Sequence, residues 1–263
     1  MRGLRALAAL QADPLDVVAT VFIQVQSRVL PARQLTAYLD SVSSQLLPTI
    51  RKRRLARFVE VVCGAGGLDP DQARRLLACA ADLGFAIKVH TDGLASDQAV
   101  ALAIETGATS IGGLVELAPD HLRSLAASAV IVTLSPAADL LALGAHPAPA
   151  RDLIAAGAAV ALASGYGAGS PTFSLPVVLS LACSRLGLAP AEAIAAATVN
   201  AAWAAGLGPR LGSLEPGKQA DLVIFDVPDY REIPYHFGVN LVSAVLKRGE
   251  LLYRRGDILW NQD

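Results

Sequence analysis

The sequence predicts an α/β protein in which about six parallel strands alternate with helices in a barrel-like unit, followed by a small C-terminal β unit. Three features lead there. Short β-branched apolar runs recur with helical periodicity between them. Helical segments end on glycines that feed directly into the next run, as at Asp82-Leu83-Gly84. After Leu211 this alternation gives way to turns and short strands. The expected division is residues 1–211 as the partial barrel and 212–263 as the C-terminal β segment.

Residues 17–25 form the first expected strand, mostly apolar, as befits a strand covered on both faces. Between Ala32 and Ala56, Leu35, Tyr38, Leu39, Val42, Leu46 and Leu47 recur at helical spacing, and Pro48 is expected to interrupt the helix before a second, short basic one. Phe58–Cys63 is the second strand. Asp69-Pro70 opens the next helix as N-cap and N1 proline, with Ala73, Leu76, Leu77 and Ala80 on its buried face. The third strand, 86–92, delivers a histidine and a carboxylate at its C-terminal end, the end that carries chemistry in (β/α) barrels. A helix from Ser96 to Thr106 precedes a short strand at 109–114, and His121 lies in the first turn of a helix from Pro119, where a surface or capping role is expected. Strands at 129–135 and 158–164 flank a loop holding His146 and a helix at 149–156. Helices at 175–186 and 189–205 lead into strands at 221–226, 242–247 and 251–254, with the Tyr235-His236-Phe237-Gly238 loop between them.

Composition narrows the class further. A chain of 263 residues is long enough for a sizeable core, and 53% of it is hydrophobic against 17% charged. No apolar run reaches membrane length, because the longest charge-poor stretch, 153–184, is broken by Gly157, Gly165, Gly167, Gly169, Pro171 and Pro176. Net charge is −1 and Arg51-Lys52-Arg53-Arg54 is the one basic run, so neither nucleic acid nor membrane is expected as a partner. Cys63, Cys79 and Cys183 are odd in number and far apart, which excludes a disulfide framework and suits a cytoplasmic protein.

Glu215-Pro216-Gly217-Lys218-Gln219-Ala220-Asp221-Leu222-Val223, Pro228-Asp229-Tyr230-Arg231, and Ile233-Pro234-Tyr235-His236-Phe237-Gly238-Val239-Asn240 carry a resemblance. So do Leu179-Ser180-Leu181-Ala182-Cys183, Ala197-Thr198-Val199-Asn200-Ala201-Ala202 and Lys88-Val89-His90-Thr91-Asp92. With them the chain resembles the metal-dependent amidohydrolase superfamily, and within it the imidazolonepropionases, over roughly the C-terminal two-thirds of such an enzyme. The resemblance implies an incomplete barrel of the amidohydrolase type, the C-terminal part of its composite β-domain, and a Zn²⁺ or Fe ion that lowers the pKa of bound water. The implied reaction is hydrolytic opening of 4-imidazolone-5-propanoate to N-formimino-glutamate in histidine degradation.

Residue by residue, His90 matches the family's fifth-strand metal ligand and is the one ligand kept. Gly112-Gly113 stands where the family has Asp-His, Gly93 where it has Glu, and Gly165 where it has Asp. Gln24 to Ser27 stands where the third strand would supply a His. The His-x-His pair of the first strand is expected to lie before Met1. The resemblance implies roles for Arg231, Tyr235 and His236 toward a small carboxylated substrate, and Asp92 is the candidate for a residual catalytic role. A divalent catalytic ion needs about three protein ligands. The expectation is therefore an imidazolonepropionase-like homologue that is catalytically degenerate as this chain alone and holds no stoichiometric metal. Three alternatives stand beside it: an amidohydrolase completed by a separate chain, a small-carboxylate binding or scaffold protein, and a non-hydrolytic enzyme reusing the pocket around His90, Asp92, Ser135 and Tyr166. With its first strands missing, the sheet is expected to need self-association or a partner chain to cover its open edge.

Overall fold

The computed structural model describes residues 1–10, 16–25, 30–64, 66–91, 96–141, 149–167, 170 and 172–256. It is an incomplete (β/α) barrel of six parallel strands with a small antiparallel sheet of three. The barrel strands are β1 (Thr20–Ile23), β2 (Phe58–Cys63), β3 (Ala86–Thr91), β4 (Ser110–Gly112), β5 (Ile131–Leu134) and β6 (Val160–Leu162), hydrogen-bonded in sequence order with β1 and β6 at the two ends. The chain forms two compact units. The first is Met1–Leu134 with Ala148–Val160, and the second is Ser135–Pro147 with Ala161–Asp263.

In the first unit the alternation of strands and helices follows the expected order, with shorter strands. The sheet residues buried beneath helices include Val59, Val61, Val89, Ile111 and Val132, all at 0% exposure, and α4 (Pro70–Asp82) covers β2 and β3 with Ala73, Leu76, Leu77 and Ala80. That helix begins as its sequence prescribes. Asp69 accepts from the Asp71 and Gln72 amides, and Gln72 reaches back to the Asp69 amide, closing a capping box. α5 (Ser96–Glu105) and α6 (Pro119–Ala126) follow, joined by His121, whose Nδ1 lies 2.9 Å from Asp97. α8 (Ala150–Ala156) ends at Gly157 in the left-handed region.

One expectation needs correction here. Pro48 does not end the preceding helix: α2 (Ala32–Ser41) runs through a π-helical turn (Val42–Leu46) into α3 (Leu47–Lys52), and Pro48 sits in the first turn of that last segment. A proline near a helix start forfeits an amide that has no helical acceptor anyway, and the widened turn before it takes up the ring. Ahead of β1 the chain forms a helix, α1 (Arg2–Ala9), with no buried residue.

The second unit holds α7 (Pro136–Leu141), where a loop was expected, together with α9 (Leu175–Leu186), α10 (Pro190–Ala195), a second π-helical turn (Ala196–Asn200) and α11 (Ala201–Ala204). α12 (Glu232–Tyr235) turns another expected loop into one helical turn, and both α7 and α12 pack on α9. β7 (Leu222–Phe225), β8 (Val242–Lys247) and β9 (Glu250–Arg254) form the antiparallel sheet with β8 central. The Glu215 to Asp221 segment leads into β7 and is hydrogen-bonded both within itself and to the end of β8. Lys218 donates to Ser213 Oγ at 2.5 Å. Asp221 accepts from Lys247, from Gln219 Nε2 at 3.0 Å and from the Arg248 amide at 2.9 Å. Burial pushes the Asp221 carboxyl up, but those hydrogen bonds outweigh it and hold it below its usual range.

Candidate active site

In parallel strands, register partners share a face, so pairing Glu60 with Lys88, Val62 with His90 and His90 with Gly112 puts Glu60, Lys88, His90 and Gly112 on one side of the first unit's sheet. β3 makes the division visible, because Ile87, Val89 and Thr91 are buried while Ala86, Lys88 and His90 are partly exposed. His90 therefore sits at the C-terminal end of its strand on the open face, as the sequence implies.

Its surroundings are specific. Nδ1 lies 3.4 Å from a Glu60 carboxylate oxygen, and the half-exposed Phe22 ring meets the imidazole edge-on at 5.8 Å. The Gly112-Gly113 backbone lies under the ring: a Cβ added to Gly112 would stand 3.1 Å from Nδ1, and one added to Gly113 would stand 2.9 Å from Nε2 and overlap the Thr91 carbonyl oxygen. Gly113 also has φ +76°, a left-handed conformation costly for any other residue. The imidazole thus occupies volume that a side chain at Gly112 or Gly113 would claim.

The other position expected to have lost a ligand behaves alike within the second unit. Gly165 has φ +63°, and a Cβ there would meet Ala138 Cβ at 2.9 Å and Ser135 Cβ at 3.0 Å. Tyr166 follows it and packs edge-on against Phe173 at 5.9 Å.

Arg231 is occupied by its neighbour: Nε donates to Asp229 Oδ1 at 2.9 Å, a second nitrogen donates to Oδ2, and the pair holds the Asp229 carboxyl down at about 2. His236 Nε2 lies 3.5 Å from Glu232, and Tyr235, 79% exposed, stacks edge-on to His236 at 5.2 Å. Asp92, Gly93 and His146 lie outside the described residues.

Sequence reasoning passed over two side chains on the open face, Glu60 and Lys88. Each interrupts an otherwise apolar strand, a signal readable in Phe58-Val59-Glu60-Val61 and Ala86-Ile87-Lys88-Val89. Burial pushes the Lys88 ammonium below its usual pKa, with the Glu60 charge opposing. Its Nζ lies 4.6 Å from the Phe58 ring centroid.

The metal implied by the resemblance would meet a sparse donor set here. Around His90 the described residues add one carboxylate, Glu60, and among the described residues no group of three His, Cys, Asp or Glu side chains converges to hold an ion. That set does not fit a catalytic divalent ion.

Comparison with known proteins now places the chain. The amidohydrolase family model matches residues 50–252, and the chain belongs to that family. Among curated proteins it is similar to the imidazolonepropionases of Geobacillus kaustophilus, 43% identical over 84% of this chain and 52% of the relative, and of Symbiobacterium thermophilum, 39% identical over 98% and 61%. The chain thus spans about half to three-fifths of the relatives' length. In fold it is similar to an adenosine deaminase from Xanthomonas campestris with bound zinc (TM-score 0.69, 20% identity, 97% of this chain and 65% of that one). It is also similar to a triazine hydrolase variant (TM-score 0.74, 19% identity, 94% and 63%).

Proposed function

We propose that this chain is an imidazolonepropionase-type amidohydrolase unit that does not hydrolyse 4-imidazolone-5-propanoate by itself. One observation carries the reading: Gly113 and Gly165 stand where the family resemblance expects a histidine and an aspartate, and each adopts a left-handed backbone in which an added Cβ collides with its surroundings. In this reading the positions are not sites awaiting a rotamer, because the backbone at each leaves no free space for a Cβ. Without them the first unit offers His90 and Glu60 among its described residues, short of the donors that metal-assisted hydrolysis needs.

A second reading is favoured by a different observation. The chain spans 52% and 61% of the relatives above, and β1 is an end strand carrying a half-exposed Phe22. In that reading a separate polypeptide supplies the remaining strands and the metal ligands on them, covering the β1 edge.

The test is the disappearance of imidazolonepropionate absorbance with added Zn²⁺ or Fe²⁺, alongside metal content of the purified chain. The first reading expects background turnover and well under one equivalent of metal. Metal-dependent turnover by the chain alone, abolished in His90→Ala, would overturn it. Turnover that arises only on adding a second polypeptide supports the other reading.

A further inference from the structure

We propose that the cleft between α2 and α4, in the outer helical layer of the first unit, binds a free α-amino acid, a zwitterion whose ammonium meets Asp40 and whose carboxylate meets Arg75. This goes beyond the reading above and holds whether or not hydrolysis occurs.

The cleft has a volume of about 330 Å³, the scale of a small-molecule site. α2 presents Leu39 and Asp40 to it, the π-helical turn presents Ser43, and α4 presents Gln72, Arg75 and Leu76. Positions one turn apart share a helix face, so the two helices offer facing stripes. Leu76 is buried and Leu39 half-buried, which gives the cleft apolar surface for a hydrocarbon side chain. Asp40 and Arg75 are exposed, and neither side chain has a hydrogen bond or ion pair among the described residues. The neighbouring Arg74 is by contrast taken up by Asp71 and Glu105. Opposite charges that line one cleft without meeting leave room for a ligand that carries both.

The π turn adds a second feature. Leu47 gives its amide to the Val42 carbonyl, Pro48 has no amide to give, and the Ser43 carbonyl faces α4, where Cys79 Sγ donates to it at 3.8 Å. A thiol is a weak donor, so this carbonyl keeps capacity for a stronger one such as an ammonium. Across the cleft, Gln72 spends its Oε1 on the Asp69 amide at 3.4 Å and keeps its amide N–H groups as donors one turn from Arg75. Acceptors thus gather on the α2 wall and donors on the α4 wall. A ligand with a single charge would engage one wall only; an ammonium and a carboxylate on one carbon skeleton engage both.

The experiment titrates the intact chain with L-leucine, with 4-methylpentanoate, which lacks the ammonium, and with 3-methylbutylamine, which lacks the carboxylate. Ligand signals are followed by saturation-transfer NMR and affinity by calorimetry. L-leucine is expected to bind weakly, and each single-charge analogue about tenfold more weakly or worse. Asp40→Asn and Arg75→Met should each weaken L-leucine about tenfold or more, the worth of one charge-assisted hydrogen bond. Both variants should keep the melting temperature of the unaltered chain, because the side chains are exposed and hold no partner among the described residues. Absence of L-leucine binding, equal binding by Arg75→Met, or equal affinity for 4-methylpentanoate overturns the proposal. So does concentration-dependent association of the unaltered chain that Asp40→Asn abolishes, since the two charges would then serve a second copy.

Discussion

β3 and β8 are both six-residue strands at interior positions of their sheets, and both mix apolar with polar residues, yet their environments differ. β3 alternates between buried and partly exposed residues because helices cover one of its faces. In β8 no residue is buried, and its neighbours β7 and β9 expose Val223, Ile224, Leu251 and Leu252 to about half their area. The lesson is that an apolar strand is buried by the layer laid over it and not by its own composition. In the first unit that layer comes from the helices between strands. The small sheet receives no such layer from the described residues.

Substitutions can break this comparison, and the largest effect belongs in the first unit. Val59→Asp places a charge at a site of 0% exposure and should cost on the order of 4 kcal/mol or more, enough to unfold the chain in a denaturant titration. Leu77→Ala, on the buried face of α4, should cost about 2–5 kcal/mol. A smaller loss for either would mean the sheet is less tightly covered than its geometry indicates.

Next comes the glycine pair. Gly113→Ala should lose at least ~1–2 kcal/mol from its φ of +76° alone, with the Thr91 overlap adding to it, whereas Gly107→Ala, left-handed too but with nothing within 4 Å of its added Cβ, should lose only the backbone part. Equal losses in thermal denaturation would show that the packing against His90 and Thr91 contributes nothing. Asp69→Ala, removing the carboxylate that accepts from the Asp71 and Gln72 amides, should cost about 1 kcal/mol by the same measurement.

The smallest effects lie in the second unit. Val223→Asp, at a position 51% exposed, should change stability by no more than about 0.5 kcal/mol; a loss above 2 kcal/mol would reveal a cover over the sheet. The Asp229 carboxyl should titrate at about 2 in carbon-detected NMR, and Arg231→Ala should return it toward 3.8. Because the folded pKa is depressed, any stability it adds is present above about 3.8 and is lost as pH falls toward 2. A midpoint unmoved by Arg231→Ala would dissolve the pair that occupies Arg231.

The sequence by itself determined the order of elements and the family. Periodicity located the strands, Asp69-Pro70 announced a helix start that the capping box bears out, and the motif residues around Glu215–Asp221 and Tyr235–Asn240 pointed to amidohydrolases. These signals are local, set by side-chain spacing and by hydrogen bonds within a few residues. Tertiary structure decided the rest, because it depends on what stands opposite. Pro48 was absorbed by a π turn beside it. Gly113 reads in sequence as standing where the resemblance expects a histidine, and the fold sets it with Gly112 beneath the His90 ring. Lys88 and Glu60 are adjacent only through strand register, and Arg231 loses its freedom to Asp229. A strand's neighbours, unlike its periodicity, are chosen by the packing of the whole chain.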